Sequence, residues 1–300
     1  MLKLSRREFV GKATAATGAA MFAGQCAFAN PLGVPLGIQL FSVRQQMAKD
    51  LDGAFTGIRA AGFTEVEAAS LPKNKSAKEI RLALDQAGLR CVSAHQSLAD
   101  MRNRSDDTLA YNKELGVSFI ICPSPAYRSP VAPSGGPGGE RAMTLDDWRY
   151  NAEQFNRIGE EMAAAGIRFG YHNHTQDFDP IDGTIPYLEL LRLTDAKRVT
   201  FEMDCGWAVV AGMSPVKLMQ EYPHRFSMLH VKDFTMADSS AAGRKDAKVT
   251  ELGKGAIDYR PIFRQAAKTQ HIEHAFVEQE AFDMPWQDSL KVDVNYMRRL

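Results

Sequence analysis

The chain has no excess charge of either sign: Lys plus Arg and Asp plus Glu each number 36 among 300 residues, for a formal net charge of +0. Without a cationic field to displace counterions from a polyanion, nucleic acid is not expected as a partner. Cysteine is scarce, with four in the chain. Cys26 falls in the N-terminal leader described below, and Cys91, Cys122 and Cys205 are an odd set that allows at most one intramolecular disulfide. All three lie in or at the ends of apolar strand-like runs and read as buried thiols. The absence of grouped thiolates argues against a structural zinc site. No apolar run reaches the ~20 residues that a stable membrane span needs. No G-x-G-x-x-G follows the first strand candidate, so a dinucleotide-binding sheet has no support. The composition, 45% hydrophobic and 24% charged, is rich enough to bury a core and too apolar for disorder.

The first thirty residues read as an address. Ser5-Arg6-Arg7-Glu8-Phe9-Val10 is a twin-arginine sequence, a small-residue apolar run follows from Ala13 to Ala23, and Ala27-Phe28-Ala29 is an A-x-A cleavage site. The order predicts a signal peptide over 1–29, cleavage near Ala29 and a soluble periplasmic chain from Asn30. Cys26 follows Gln25 rather than the small residue that lipoprotein processing requires. The partner implied before cleavage is the twin-arginine (Tat) export machinery. That pathway carries folded proteins, often with a cofactor already in place, which favours a metal or cofactor enzyme.

Downstream, short apolar runs alternate with amphipathic stretches of ten or more residues, the signature of repeated βα units. Strands are expected at Leu36 to Phe41, Thr64 to Ala68, Arg90 to His95, Ser118 to Cys122, Ile167 to His172, Val199 to Asp204, Phe226 to Val231 and His274 to Glu278. Helices are expected near 47–61, 76–88, 105–115, 146–165, 184–194, 213–222, 259–270 and 286–299. Several end on a late Gly suited to a left-handed cap, as at Gly62, Gly88 and Gly166. Eight units over about 250 residues imply a single-domain α/β fold over 30–300, a closed (β/α)8 TIM barrel. Two long post-strand segments, Pro123 to Thr144 and Phe234 to Asp258, read as lids over the active face.

A strand buried on both faces should be apolar, so polar groups at its C-terminal end mark the chemistry of such a barrel. His95, Tyr171-His172-Asn173-His174, Glu202-Met203-Asp204, His230-Val231-Lys232-Asp233 and Glu278-Gln279-Glu280 stand at five such ends. Residues two apart share a face, which pairs His172 with His174, Glu202 with Asp204, His230 with Lys232 and Glu278 with Glu280. Asp204, His230 and Glu278 can therefore converge on one divalent ion, with His172 or His174 completing the set. A mixed carboxylate and imidazole site suits Mn2+ first, and also Co2+, Zn2+, Mg2+ or Fe2+.

Taken together, Gly37-Ile38-Gln39-Leu40-Phe41-Ser42-Val43-Arg44, Tyr171-His172-Asn173-His174, Phe201-Glu202-Met203-Asp204 with Trp207, Leu229-His230-Val231-Lys232-Asp233, Glu251 to Asp258 and Phe276-Val277-Glu278-Gln279-Glu280 resemble the xylose isomerase-like TIM barrels, the sugar phosphate isomerase/epimerase superfamily. The resemblance implies that Asp204, His230 and Glu278 are metal ligands. Two positions depart from the better-known epimerases: His172 or His174 replaces a strand-five Glu, and Trp207 replaces a His three residues after the strand-six Asp. Both bear on the two-glutamate proton exchange that those epimerases use.

The expected chemistry is α-proton abstraction from an unphosphorylated sugar or keto-sugar through a metal-stabilised enediolate. His172 or His174 is the candidate base, Lys232 an oxyanion stabiliser, and His95 a substrate contact or second base. Arg44, Glu67 and Glu280 are candidates to grip hydroxyls, and Trp207 and Phe282 to present apolar faces to a sugar ring. Isomerisation or epimerisation is the leading outcome. β-Elimination, as by a lyase or dehydratase acting on a keto-glycoside or inosose-like substrate, is the alternative, and a non-catalytic periplasmic carbohydrate-binding protein is the second. A homo-oligomer is left open.

Overall fold

The structure, a computed structural model, describes residues 31–129 and 142–300. The leader and the Gly-rich stretch at 135–139 lie outside the described residues. Eight parallel strands close into one barrel: β1 (Leu36–Gln39), β2 (Glu65–Ala68), β3 (Arg90–His95), β4 (Phe119–Cys122), β5 (Arg168–His172), β6 (Val199–Asp204), β7 (Phe226–Val231) and, closing between β7 and β1, β10 (His274–Val277). A small antiparallel pair, β8 (Asp233–Thr235) and β9 (Lys248–Thr250), stands apart from it. The expected helices form at Leu51–Ala61, Ala77–Ala87, Ser105–Leu115, Leu145–Ala164, Pro186–Leu193, Pro215–Glu221, Tyr259–Thr269 and Trp286–Met297. Among the described residues no helix is long and apolar enough to cross a membrane.

Local chemistry sets the element ends. Ser76 and Thr144 open their helices with capping boxes closed by Glu79 and Asp147. Gly62 and Gly88 close theirs at φ 118° and 73°, a left-handed turn that a side chain would strain. β1 stops at Gln39, two residues before the expected end. There the Gln39 side chain accepts the Phe41 N–H and the chain turns into a short 3-10 helix at Leu40–Val43.

Alternation along the strands sorts side chains into two cores. On each strand one set of alternate positions, such as Phe201, Met203, Leu229, Val231, Ala275 and Val277, packs outward into the large apolar layer between sheet and helices. Phe119, Ile121, Met228 and Phe276 point inward and, with Val92, plug the lower half of the barrel. Above that plug the inward positions become Glu67, His95, His172, Glu202, Asp204, His230 and Lys232, so the site sits at the C-terminal ends of the strands. Cys91, Cys122 and Cys205 are buried free thiols.

The segment after β7 is not a free lid. Asp233 accepts four backbone N–H groups, from Phe234, Gly253, Gly255 and Ile257, at 2.9 to 3.1 Å. β9 then pairs back onto β8. These bonds tie both ends of the 234–258 excursion to the barrel rim and turn it into a collar.

Candidate metal centre and active site

The inward face of β6 supplies Glu202 and Asp204, β7 supplies His230 with Lys232 just beyond it, and Glu278 follows β10. Glu202, Asp204, His230 and Lys232 are fully buried, and Glu278 nearly so. One donor atom from each of His172, Asp204, His230 and Glu278 falls within a 4.8 Å cluster. An overlapping cluster joins His172 and His230 to His95 and Glu202. Of the two strand-five histidines, His172 joins Asp204, His230 and Glu278. His174 stands beside it with ring centroids 4.8 Å apart, and its Nδ1 has no hydrogen-bond partner among the described residues.

The hydrogen bonds fix which ring nitrogen faces the centre. His230 Nδ1 lies 3.0 Å from Glu278 Oε2, while its Nε2 lies 2.8 Å from Glu67 Oε1 and 3.1 Å from Glu202 Oε2. His172 is turned the other way, with Nδ1 3.0 Å from Glu202 Oε2 and Nε2 4.0 Å from Asp204 Oδ2. Glu67 and Glu202 thus form a lower carboxylate tier that fixes the orientation of the imidazole rings. His95 Nε2 lies between the two, 2.9 Å from Glu67 and 3.0 Å from Glu202.

The charges in this tier do not balance on their own. Burial disfavours the Asp204 carboxylate, and against the charges of Lys232 and His230 it still lifts its pKa to about 6. Burial works against a charged His230, yet Glu202, Glu278 and Glu67 hold its pKa well above the usual histidine range. The same contest lifts His95 to about 10 through Glu67 and Glu202. Burial and the charge of His230 push His172 well below the usual range. Burial and the charge of Lys232 bring His174 down to about 4, so its ring is neutral. Asp204 Oδ2 and Glu202 Oε1 are buried without a hydrogen-bond partner among the described residues. Orphaned carboxylate oxygens among converging imidazoles fit a divalent cation.

Lys232 is wholly buried, with Nζ 2.6 Å from Glu280, 2.9 Å from Glu278 and 3.6 Å from Asp204, and 4.6 Å from the centroid of Trp207. Asp204 Oδ1 accepts the Trp207 N–H at 2.7 Å, capping the short helix Cys205–Val210 and leaving Oδ2 for the centre. Glu280, expected to grip a hydroxyl, pairs through Oε1 with Lys232. Two expectations need correcting. Glu67 is too deep to meet substrate, since its oxygens are taken by Ser93 at 2.6 Å, His95 and His230. Arg44 neither pairs with Glu67 nor joins the cluster; it donates to Phe41 O at 2.8 Å and covers the Phe41 ring. Glu202 was not assigned a role from sequence, although a carboxylate two residues before Asp204 on a buried strand was the signal.

A profile of the xylose isomerase-like TIM barrel family matches residues 55–300. The inosose dehydratase of Clostridium botulinum (strain Alaska E43 / Type E3) is 27% identical over 155 residues, 47% of this chain and 50% of that protein. The chain therefore spans about half the length of the curated relatives it matches. A crystal structure of a sugar phosphate isomerase/epimerase from Parabacteroides distasonis is 25% identical with a TM-score of 0.71, covering 88% of this chain and 94% of that one. A barrel protein from Mycobacterium smegmatis, solved in complex with magnesium, shares the fold at 14% identity and a TM-score of 0.63, over 90% of this chain and 97% of that one.

Proposed function

Because this chain belongs to the xylose isomerase-like TIM barrel family, we propose that it is a divalent-metal-dependent enzyme that removes the proton beside the carbonyl of an unphosphorylated keto-sugar or cyclitol ketone. The observation that carries the reading is the four-residue donor set of His172, Asp204, His230 and Glu278 beside an unpartnered neutral imidazole, His174. A divalent cation would be held by those four residues and would supply Lewis-acid polarisation of the carbonyl. His174 Nδ1 takes the α proton, and Lys232 steadies the enediolate oxygen from a position fixed by Glu278 and Glu280. Trp207 walls the same side. Lys232 is already committed to three carboxylates, so it is not a spare cation for a phosphate.

Loss of a β-hydroxyl as water is the favoured fate of the enediolate: the C–O bond breaks as the C=C bond forms, and the proton taken up by His174 leaves with the hydroxyl. An epimerase needs a second proton carrier on the opposite face, and the two carboxylates of the lower tier are consumed in holding imidazoles. The inosose dehydratases among the curated relatives favour the same outcome, whereas the Parabacteroides neighbour favours isomerisation or epimerisation. Incubating the metal-loaded protein in D2O with a panel of keto-sugars and inososes separates the two by NMR. The proposal expects an unsaturated product with loss of water. An isomeric, deuterated sugar without elimination would instead establish the isomerase reading.

A further inference from the structure

A cavity of about 780 Å³ lies not over the donor set but beside it. It runs between the loop after β2, from Ala69 to Lys75, and the paired short helices after β3, Leu98–Asn103 and Ser105–Leu115. It reaches inward to His95, the one member of the polar tier that also lines it, whose ring centroid lies 5.0 Å from that of His172. Ligand pockets of ~300 to 1,000 Å³ enclose molecules of drug size, so this groove is large for one sugar ring.

Its walls mix apolar faces with polar groups. Leu71, Pro72 and the half-buried Tyr111 offer surfaces against which a ring can lie, while Gln96 and Asn112 present amides from the floor. Those amides are held in place: Asn112 Nδ2 donates to Thr108 O at 2.7 Å, and Gln96 Nε2 lies 3.4 Å from Asn112 Oδ1. The charges at the rim largely cancel. Arg104 pairs with Asp107 at 3.4 Å and Asp100 accepts from Ser97 at 2.7 Å, leaving exposed Lys73 and Lys75 in solvent. A hydroxylated ring with one apolar face suits such walls better than a phosphate, which would need buried cations.

We infer that this groove is a second substrate subsite, which holds a glycosidically linked sugar ring while the carbonyl-bearing ring lies over His174 and Lys232. The inference rests on the proposed carbonyl-sugar chemistry and narrows its substrate to two-ring compounds. Contacts remote from the reacting carbon then contribute to turnover, so a one-ring analogue reacts more slowly.

The test is a matched pair: a keto-glucose carrying a linked glucosyl ring, and the same keto-sugar as its methyl glycoside. The rate of α-proton loss in D2O, whether it ends in deuteration or in the unsaturated product, is followed for wild type, Ala110→Trp, which adds bulk at an exposed groove position, and Tyr111→Ala. In wild type, kcat/KM for the glucosyl compound is expected to exceed that of the methyl glycoside by at least about tenfold. Each variant should remove that preference by slowing the glucosyl compound alone. Equal rates for the pair in wild type, or equal slowing of both by the variants, overturns the subsite. If neither compound loses its α proton, the proposed chemistry fails by itself. Saturation transfer from protein to the glucosyl ring, lost in Ala110→Trp, would then still support the subsite, and no transfer would overturn it.

Discussion

Glu202 shows most clearly how single residues divide the labour in this centre. Its Oε2 lies within about 3 Å of a nitrogen on each of His95, His172 and His230, so it orients rings instead of meeting substrate. Outer carboxylates of this kind typically contribute ~10- to 100-fold to metal affinity. Glu202→Gln keeps the volume and loses the charge, and competitive titration with a chelator should show divalent affinity falling by about that factor. Unchanged affinity would remove Glu202 from its positioning role. At this scale the strand alternation made Asp204, His230 and Glu278 legible, because polar residues on an inward face have nowhere else to point. It could not choose between His172 and His174, since β5 ends at His172 and alternation no longer governs the residues beyond it. Nor does alternation report depth: Glu67 and Lys232 both face inward, but Glu67 lies one tier lower and is saturated by Ser93, His95 and His230.

Elements as long as the outer helices were readable from their periodicity, whereas β8, β9 and the helices Cys205–Val210 and Ala241–Lys245 were not. A three-residue strand carries too little alternation to register, and the collar owes its shape to Asp233, a side chain tying together backbone about twenty residues away. A second buried acid braces the same collar. Asp293, on the last helix, accepts the Leu252 N–H at 2.8 Å, and burial, with Glu251 adding its charge, pushes its pKa up to about 8. The unfolded chain releases that proton near pH ~4. The folded protein therefore binds more protons between these values, and this contribution to stability is lost as pH rises from about 4 through about 8. Asp293→Asn mimics the neutral form, so thermal unfolding should show a smaller drop in Tm between about pH 6 and about pH 9 than in wild type. An identical drop in both would mean that Asp293 does not carry the dependence.

At the scale of the whole molecule, the barrel was legible because eight βα repeats each announced a buried strand and an amphipathic helix, and only one closed arrangement puts helices around eight parallel strands. The address read at residues 1–29 is a separate proposition about where this barrel works. Replacing both Arg6 and Arg7 with lysine should leave the protein in the cytoplasm of a host with a twin-arginine pathway, whereas wild type should reach the periplasm; fractionation and immunoblotting separate the outcomes. Periplasmic delivery of that double variant would point to another route.

The barrel, the lower carboxylate tier and the unpartnered His174 all bear on whether a bound divalent ion and proton abstraction belong together. The decisive measurement is metal content by elemental analysis alongside exchange of the α proton of keto-sugars into D2O, read as loss of its NMR signal, for wild type and His230→Ala. One divalent ion per chain with exchange in wild type, both lost in the variant while the fold persists by circular dichroism, is the expected result. Exchange that survives in His230→Ala without metal, or a wild type that neither takes up a divalent ion nor exchanges protons when supplied with one, would contradict it.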